Sequence, residues 1–271
     1  VGGLSVWREI VAELPQLDTV YVADQAHIPY GARPPAQILE YARGICRFLV
    51  DEGCTAIVMA CNAASAAALL PLRHELPGLD LVGMEPAIKP AAHLSARRVV
   101  GVLATPPTLA GELFRATLAR HAADVHVVEQ PCPGLVELVE AGVVDGPRVE
   151  SVLRRFLAPS ITASADVLVL ACTHYPFLRN VIARVAGPDV RILDPAPAVA
   201  QQVKRIVVQQ QSARANAAAL PAVVGEPRRR FYTTGDRSQF ENVSSLLLGK
   251  TLTAAAARWD SGALHPCNEP G

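Results

Sequence analysis

The stretch "LVLACTHYPFL", residues 168–178, reads as a buried strand that ends on chemically versatile side chains. Leu168, Val169 and Leu170 make a short unbroken apolar run, the pattern of a strand covered on both faces. Cys172, Thr173, His174 and Tyr175 follow before Pro176 interrupts the run. The chain carries an echo of this arrangement. "AIVMACNAAS" at 56–65 aligns with "VLVLACTHYP" at 167–176, each an apolar strand, then Ala-Cys, then a small polar residue.

Strands and helices alternate on either side of these two stretches. "TVYVAD" (19–24), "AIVMAC" (56–61) and "LDLVGM" (79–84) are separated by helical segments at 36–53 and 64–76. The rhythm resumes with "RRVVGVLAT" (97–105), "DVHVVEQ" (124–130), "DVLVLAC" (166–172) and "DVRILD" (189–194), with helices predicted at 108–122 and 147–160. Such alternation predicts an α/β fold. The repeated strand-Ala-Cys unit predicts two pseudo-symmetric α/β domains, with mainly parallel sheets facing across a central cleft. The first domain is expected at 1–86 plus 196–271 and the second at 87–195. In the C-terminal return, 208–221 is expected to be a surface helix or loop, "RRRFYTTGD" (228–236) a strand, 238–249 a helix and "ALHPCNEPG" (263–271) a frayed tail.

Composition narrows the partners. The chain has 271 residues, 51% hydrophobic and 18% charged, and its 25 basic residues balance 25 acidic ones. A balanced charge gives no electrostatic footprint for nucleic acid or an anionic membrane, so the expected partner is a small molecule. No apolar run approaches the roughly 18 residues of a spanning helix, and no signal sequence opens the chain, which leads us to expect a soluble cytoplasmic protein. Cys46, Cys54, Cys61, Cys132, Cys172 and Cys267 show neither C-x-x-C nor the Cys/His spacing of a zinc site. Neither metal nor structural disulfides are expected.

In open parallel sheets, ligands bind beyond the carboxyl ends of the strands, where Cys61 and Cys172 both fall. A helix starting after each cysteine would direct backbone N–H groups at its sulfur and lower the thiol pKa, so that it can act as a base. Two such groups across one pocket suit a particular reaction. A proton removed from one face of a tetrahedral carbon and returned on the other needs an acid and a base on opposite sides, exchanging roles with substrate handedness. Racemisation by this route needs no cofactor.

The residues around both cysteines resemble a known family. "IVMACNAASAAAL" (57–69) and "LVLACTHYPFL" are similar to the two catalytic signatures of the glutamate racemases, enzymes that interconvert L- and D-glutamate without pyridoxal phosphate and supply D-glutamate for peptidoglycan. The resemblance extends to "VGGLSV" (1–6), "YVADQAHIPYGARP" (21–34), "GMEPAIKPA" (83–91), "GVLATPPT" (101–108), "LVELVEAG" (135–142) and "FYTTGD" (231–236). It implies Cys61 and Cys172 as the catalytic bases, the first serving the D- and the second the L-enantiomer. It further implies that His174 assists Cys172, with Glu140 as the supporting acidic residue or an ordinary exposed helix residue. Substrate contacts are implied for Tyr30, Gly31, Asn62, Ala63, Thr173 and His174, while Asp24 is either catalytic or shapes its loop. The other four cysteines are read as structural, and a homodimer is implied.

The chain departs from that pattern in three places. Ala63 stands where the family usually has Thr, and losing that hydroxyl's hydrogen bond to a charged substrate costs about 1.5–3 kcal/mol if the partner stays buried, roughly tenfold or more in affinity. Ala171 replaces the usual Gly, a milder change. The family's opening strand and its Asp-Ser-Gly, which precede "VGGLSV", are not among these residues, so either the sequence is a piece of a longer one or half of one catalytic pair is lost. Two rival readings follow: a racemase of the same superfamily acting on aspartate or a hydantoin, and a catalytically impaired homologue with a binding or regulatory role.

Overall fold

The computed structural model describes residues 1–217 and 226–267. Its elements run α1 (Leu4–Glu13), β1 (Thr19–Ala23), α2 (Pro35–Asp51), β2 (Ala56–Met59), α3 (Asn62–Glu75), β3 (Asp80–Gly83) and α4 (Ile88–Leu94), then β4 (Val99–Ala104), α5 (Pro106–Ala110), α6 (Glu112–His121) and β5 (His126–Pro131). They continue as α7 (Leu135–Glu140), α8 (Pro147–Thr162), β6 (Val167–Leu170), α9 (Arg179–Ala186), β7 (Arg191–Leu193) and α10 (Ala196–Ala217), and close with β8 (Arg229–Thr233), α11 (Arg237–Leu248), β9 (Ala255–Asp260) and β10 (Ala263–Pro266).

The expected α/β architecture with mainly parallel sheets is what the chain adopts. One sheet has the order β5-β4-β6-β7, with every neighbouring pair parallel. All four residues of β6 are buried, as an uninterrupted apolar run at the centre of a parallel sheet requires. Successive side chains of a strand point to opposite faces, and here they enter different cores. Leu168 and Leu170 pack with Leu153, Phe156 and Leu157 of α8, whereas Val167 and Val169 pack with Ile88, Ala91 and Ala92 of α4.

The other strands form two separate sheets, β1-β8-β9-β10 and β2-β3. Among the described residues, strand β1 is hydrogen-bonded to β8 and β2 to β3. Strands β1 and β2 line one cavity, whose walls there carry Ile45 and Leu49 of α2 and Val203 and Val207 of α10. The first four residues of β1 are accordingly half-buried, in contrast to β6. Helix α1 docks on α10 through Val6 and Ile10 against Val199, Ala200 and Val203.

For the C-terminal return, the helix or loop expected over 208–221 is a helix in its described part, and one expectation changes. Most of 208–221 belongs to the long helix α10, which runs to Ala217, and 218–221 lie outside the described residues. The tail expected to fray instead begins as an antiparallel hairpin, with β9 and β10 joined at Ser261 and Gly262. Both turn residues have positive φ, 48° and 82°, the geometry that matches a two-residue hairpin to the twist of its strands. Residues 268–271 lie outside the described residues.

Candidate active site

Strands β2 and β6 deliver Cys61 and Cys172 to the same cavity of about 920 Å³. The backbone N–H groups of Ala64 and Ala63, in the first turn of α3, point at the Cys61 sulfur. Those of His174 and Tyr175 point at Cys172, although a 3-10 turn (Tyr175–Leu178) rather than an α-helix follows there directly. The expected lowering of the thiol pKa does not result. Burial withdraws both sulfurs from water, and this outweighs the amide donors: the Cys61 thiol is pushed up, and Cys172 rises to about 12. Both groups rest as thiols, and a base beside them or a bound ligand has to draw the proton off.

Such a base stands next to Cys172. His174 Nδ1 lies 3.7 Å from the Cys172 sulfur, and its Nε2 lies 2.7 Å from Glu140 Oε1. Burial lowers the His174 pKa, so the ring is neutral near pH 7. Burial alone would raise the Glu140 pKa, but the His174 hydrogen bond outweighs it and helps to hold the carboxyl below the ordinary carboxylate range. A carboxylate facing Nε2 keeps the ring proton there and leaves the Nδ1 lone pair toward the thiol. The ring is pressed against the chain at Gly2, where an added Cβ would lie 2.4 Å from it.

The residues after the two cysteines cross over. Asn62 Nδ2 donates to the Ala171 carbonyl at 3.1 Å, and Thr173 Oγ1 donates to the Ala60 carbonyl at 3.3 Å. Ser5 Oγ contacts the Thr173 carbonyl at 2.8 Å and fixes that strand end from below. Asn62 Oδ1 is buried without a hydrogen-bond partner, an acceptor left for a donor that enters the cavity.

Tyr30 and Gly31 line the opposite side, in a 3-10 turn (Tyr30–Ala32). The Tyr30 hydroxyl is already committed, donating to Asp24 Oδ2 at 2.6 Å, so the turn offers a ligand its ring and backbone. A Cβ placed on Gly31 would lie 3.4 Å from Pro107 Cγ and 3.6 Å from Thr105 Oγ1, so the turn meets the end of β4 across the cleft mouth. Ala63 also lines the cavity, which thereby gathers every residue singled out from the sequence.

The sequence reading missed Thr105 and Thr108, whose hydroxyls are 2.9 Å apart on the cavity wall, and Gln25, whose Nε2 is 3.5 Å from Glu140 Oε2. The strand-end rule that selected the cysteines also selects Thr105, one residue beyond β4. Cys132, read as structural, is buried yet contributes to the cavity wall. Among the described residues no group of three or more His, Cys, Asp or Glu side chains is placed to hold a metal ion, and no helix is long and apolar enough to cross a membrane.

A cleft that holds two strand-end thiols, one backed by an imidazole and a carboxylate, defines a class, and comparison with known proteins agrees with it. Residues 2–203 match the family Asp/Glu/Hydantoin racemase; the chain belongs to that family and is an amino-acid racemase. Within the family the similarity runs to glutamate racemases. The chain is 45% identical to glutamate racemase of Roseiflexus sp. (strain RS-1) over 243 residues, covering 90% of this chain and 87% of the relative. Its structure is similar to that of Francisella tularensis glutamate racemase in complex with D-glutamate, at TM-score 0.79 and 26% identity over 96% of this chain and 94% of that one. It is likewise similar to Escherichia coli glutamate racemase in complex with L-glutamate and the activator UDP-MurNAc-ala, at TM-score 0.78 and 29% identity over 94% of each chain.

Proposed function

We propose that this racemase interconverts L- and D-glutamate by two-base proton transfer between Cys61 and Cys172, without a cofactor. The observation that carries the proposal is the pair of thiols at equivalent strand ends of one cavity, each with two backbone N–H donors aimed at its sulfur. With L-glutamate, His174 Nδ1 draws the proton from Cys172, and the thiolate takes the Cα proton. The Cα–H pair remains on the substrate as an enolate-like carbanion. Cys61 then gives its thiol proton to the opposite face, which leaves D-glutamate and a Cys61 thiolate held by the Ala63 and Ala64 amides. That state, with Cys61 as thiolate and His174 protonated, is the one from which D-glutamate is carried to L-glutamate by the same steps in reverse; passage of the His174 proton through solvent to Cys61 restores the two resting thiols. Asn62 Oδ1 is free to accept from the substrate ammonium, and the Thr173 hydroxyl and the Tyr30–Gly31 turn close around the remainder.

The same proposal places the site between a domain of 1–86 plus 196–271 and one of 87–195, in a cytoplasmic homodimer that supplies D-glutamate for peptidoglycan. Its support is the family resemblance and the separate β5-β4-β6-β7 sheet within the second span.

Circular dichroism of L-glutamate and, separately, D-glutamate incubated with the purified chain tests the reaction, with L- and D-aspartate as parallel substrates. Decay of the glutamate signal to zero from both sides supports the proposal; decay with aspartate alone replaces the substrate. A flat trace with all four leads to a second protein, extended ahead of Val1 by a strand ending in Asp-Ser-Gly. Activity there restores the proposal, and a second flat trace ends it.

A further inference from the structure

The Asp24 carboxylate, buried at the end of β1, collects donors from three separate parts of the chain. Tyr30 O–H reaches Oδ2 at 2.6 Å and His27 Nδ1 at 2.9 Å, both from the loop that follows β1. Thr234 Oγ1, just beyond β8, reaches Oδ1 at 2.8 Å. Trp259 Nε1 reaches Oδ1 at 2.7 Å from β9 of the C-terminal hairpin. The indole is also boxed by rings, with His27 centred 5.2 Å and Tyr41 centred 5.7 Å from it. Its far side rests on Gly44 of α2, where a Cβ would fall 2.5 Å from Trp259 Cζ3. A half-buried side chain held by these contacts has few alternative positions, so its N–H is a well-placed donor.

We infer that Trp259 is a positioning residue of the racemase, holding the Tyr30–Ala32 turn at the cleft mouth through the shared Asp24 carboxylate and thereby setting how firmly substrate is held. The two halves of that linkage are chemically distinct: Trp259 uses one carboxylate oxygen and Tyr30 the other. Removing either donor leaves the carboxylate held by three of its four donors, and the turn it anchors is less firmly kept in register against Thr105 and Pro107. The thiols have anchors of their own in the backbone N–H groups of Ala63 and Ala64 for Cys61 and of His174 and Tyr175 for Cys172, so the change falls on the turn. The loss is therefore in binding, equal in ground and transition states, which raises KM and leaves kcat in place. This kinetic part rests on the glutamate reading; the positioning part does not.

The test uses Trp259→Phe, which keeps an aromatic ring and deletes the N–H, with Tyr30→Phe as the second variant. Amide hydrogen exchange without substrate should quicken across residues 25–33 in each variant while α2 stays protected. For glutamate, each variant should raise KM about fivefold in both directions, and the double variant should raise it little further, since both act through one carboxylate. Unchanged exchange across 25–33 in both variants overturns the inference, as does a double-variant KM equal to the product of the single effects. Quickened exchange in a protein that does not racemise glutamate upholds the positioning role and sinks only the substrate assignment. Should Trp259→Phe fail to fold, Tyr30→Phe and Asp24→Asn carry the same exchange and KM readouts.

Discussion

Asn62 and Thr173 are tied to each other's strands, Asn62 donating to the carbonyl of Ala171 and Thr173 to the carbonyl of Ala60. Each bond spans from the residue after one cysteine to the residue before the other. The spacing between the two sulfurs is thus set by two short crosslinks rather than by distant packing.

Thr173→Val keeps the shape of the side chain and deletes one crosslink. The Ala60 carbonyl is left without that donor, at a cost of about 1–3 kcal/mol if no water replaces it. We expect a lower thermal midpoint together with a fall in kcat of about tenfold or more, because small misplacements of a reacting group are expensive. A loss of stability with kcat unchanged would show that the crosslink holds the fold and not the thiols.

Cys61→Ala and Cys172→Ala should each lower kcat/KM by about 100- to 10,000-fold. The fall must be the same for L- and D-glutamate, since the enantiomers have equal free energy and the two values are linked through an equilibrium constant of one. Polarimetric rates from both sides check this. Full activity in Cys172→Ala would remove the two-base mechanism.

Burial raises the Cys172 thiol from 9.0 to about 12. A group held protonated by the fold contributes stability that is complete below its unfolded value and is lost as pH rises through the folded one. Stability should therefore decline from about pH 9 toward pH 12. In the native protein at pH 8, iodoacetamide should label Cys172 far more slowly than it does after unfolding, as mass spectrometry of timed samples would show. Prompt labelling of Cys172 would mean that its thiolate is already formed.

Glu140→Gln removes the carboxylate that keeps the His174 proton on Nε2. We expect kcat/KM to fall about 10- to 100-fold, the range for loss of a partner that orients a functional imidazole. The primary deuterium isotope effect should grow with 2-deutero-L-glutamate more than with the D-enantiomer, because Cys172 removes the proton from the former. Equal isotope effects would assign Glu140 to both sides or to neither. The carboxyl itself, pushed up by burial but drawn down by its His174 hydrogen bond, gives stability that is present above its ordinary 4.5 and is lost as pH falls through its lowered pKa.

The legible parts of this molecule are those where local chemistry and global position coincide. The run Val167–Leu170 reads as a doubly covered strand and is one, and Cys172 beyond its end lines the cavity as its echo in Cys61 led us to expect. The thiol pKa was not legible, since backbone donors can be inferred from a helix start whereas burial depends on the whole fold. The C-terminal hairpin did leave a trace in Ser261-Gly262, set between "AAARWD" and "ALHP", and a reading that stopped at the terminal position overlooked it. The Asp24–Trp259 bond spans 235 positions, and nothing in either neighbourhood announces the other.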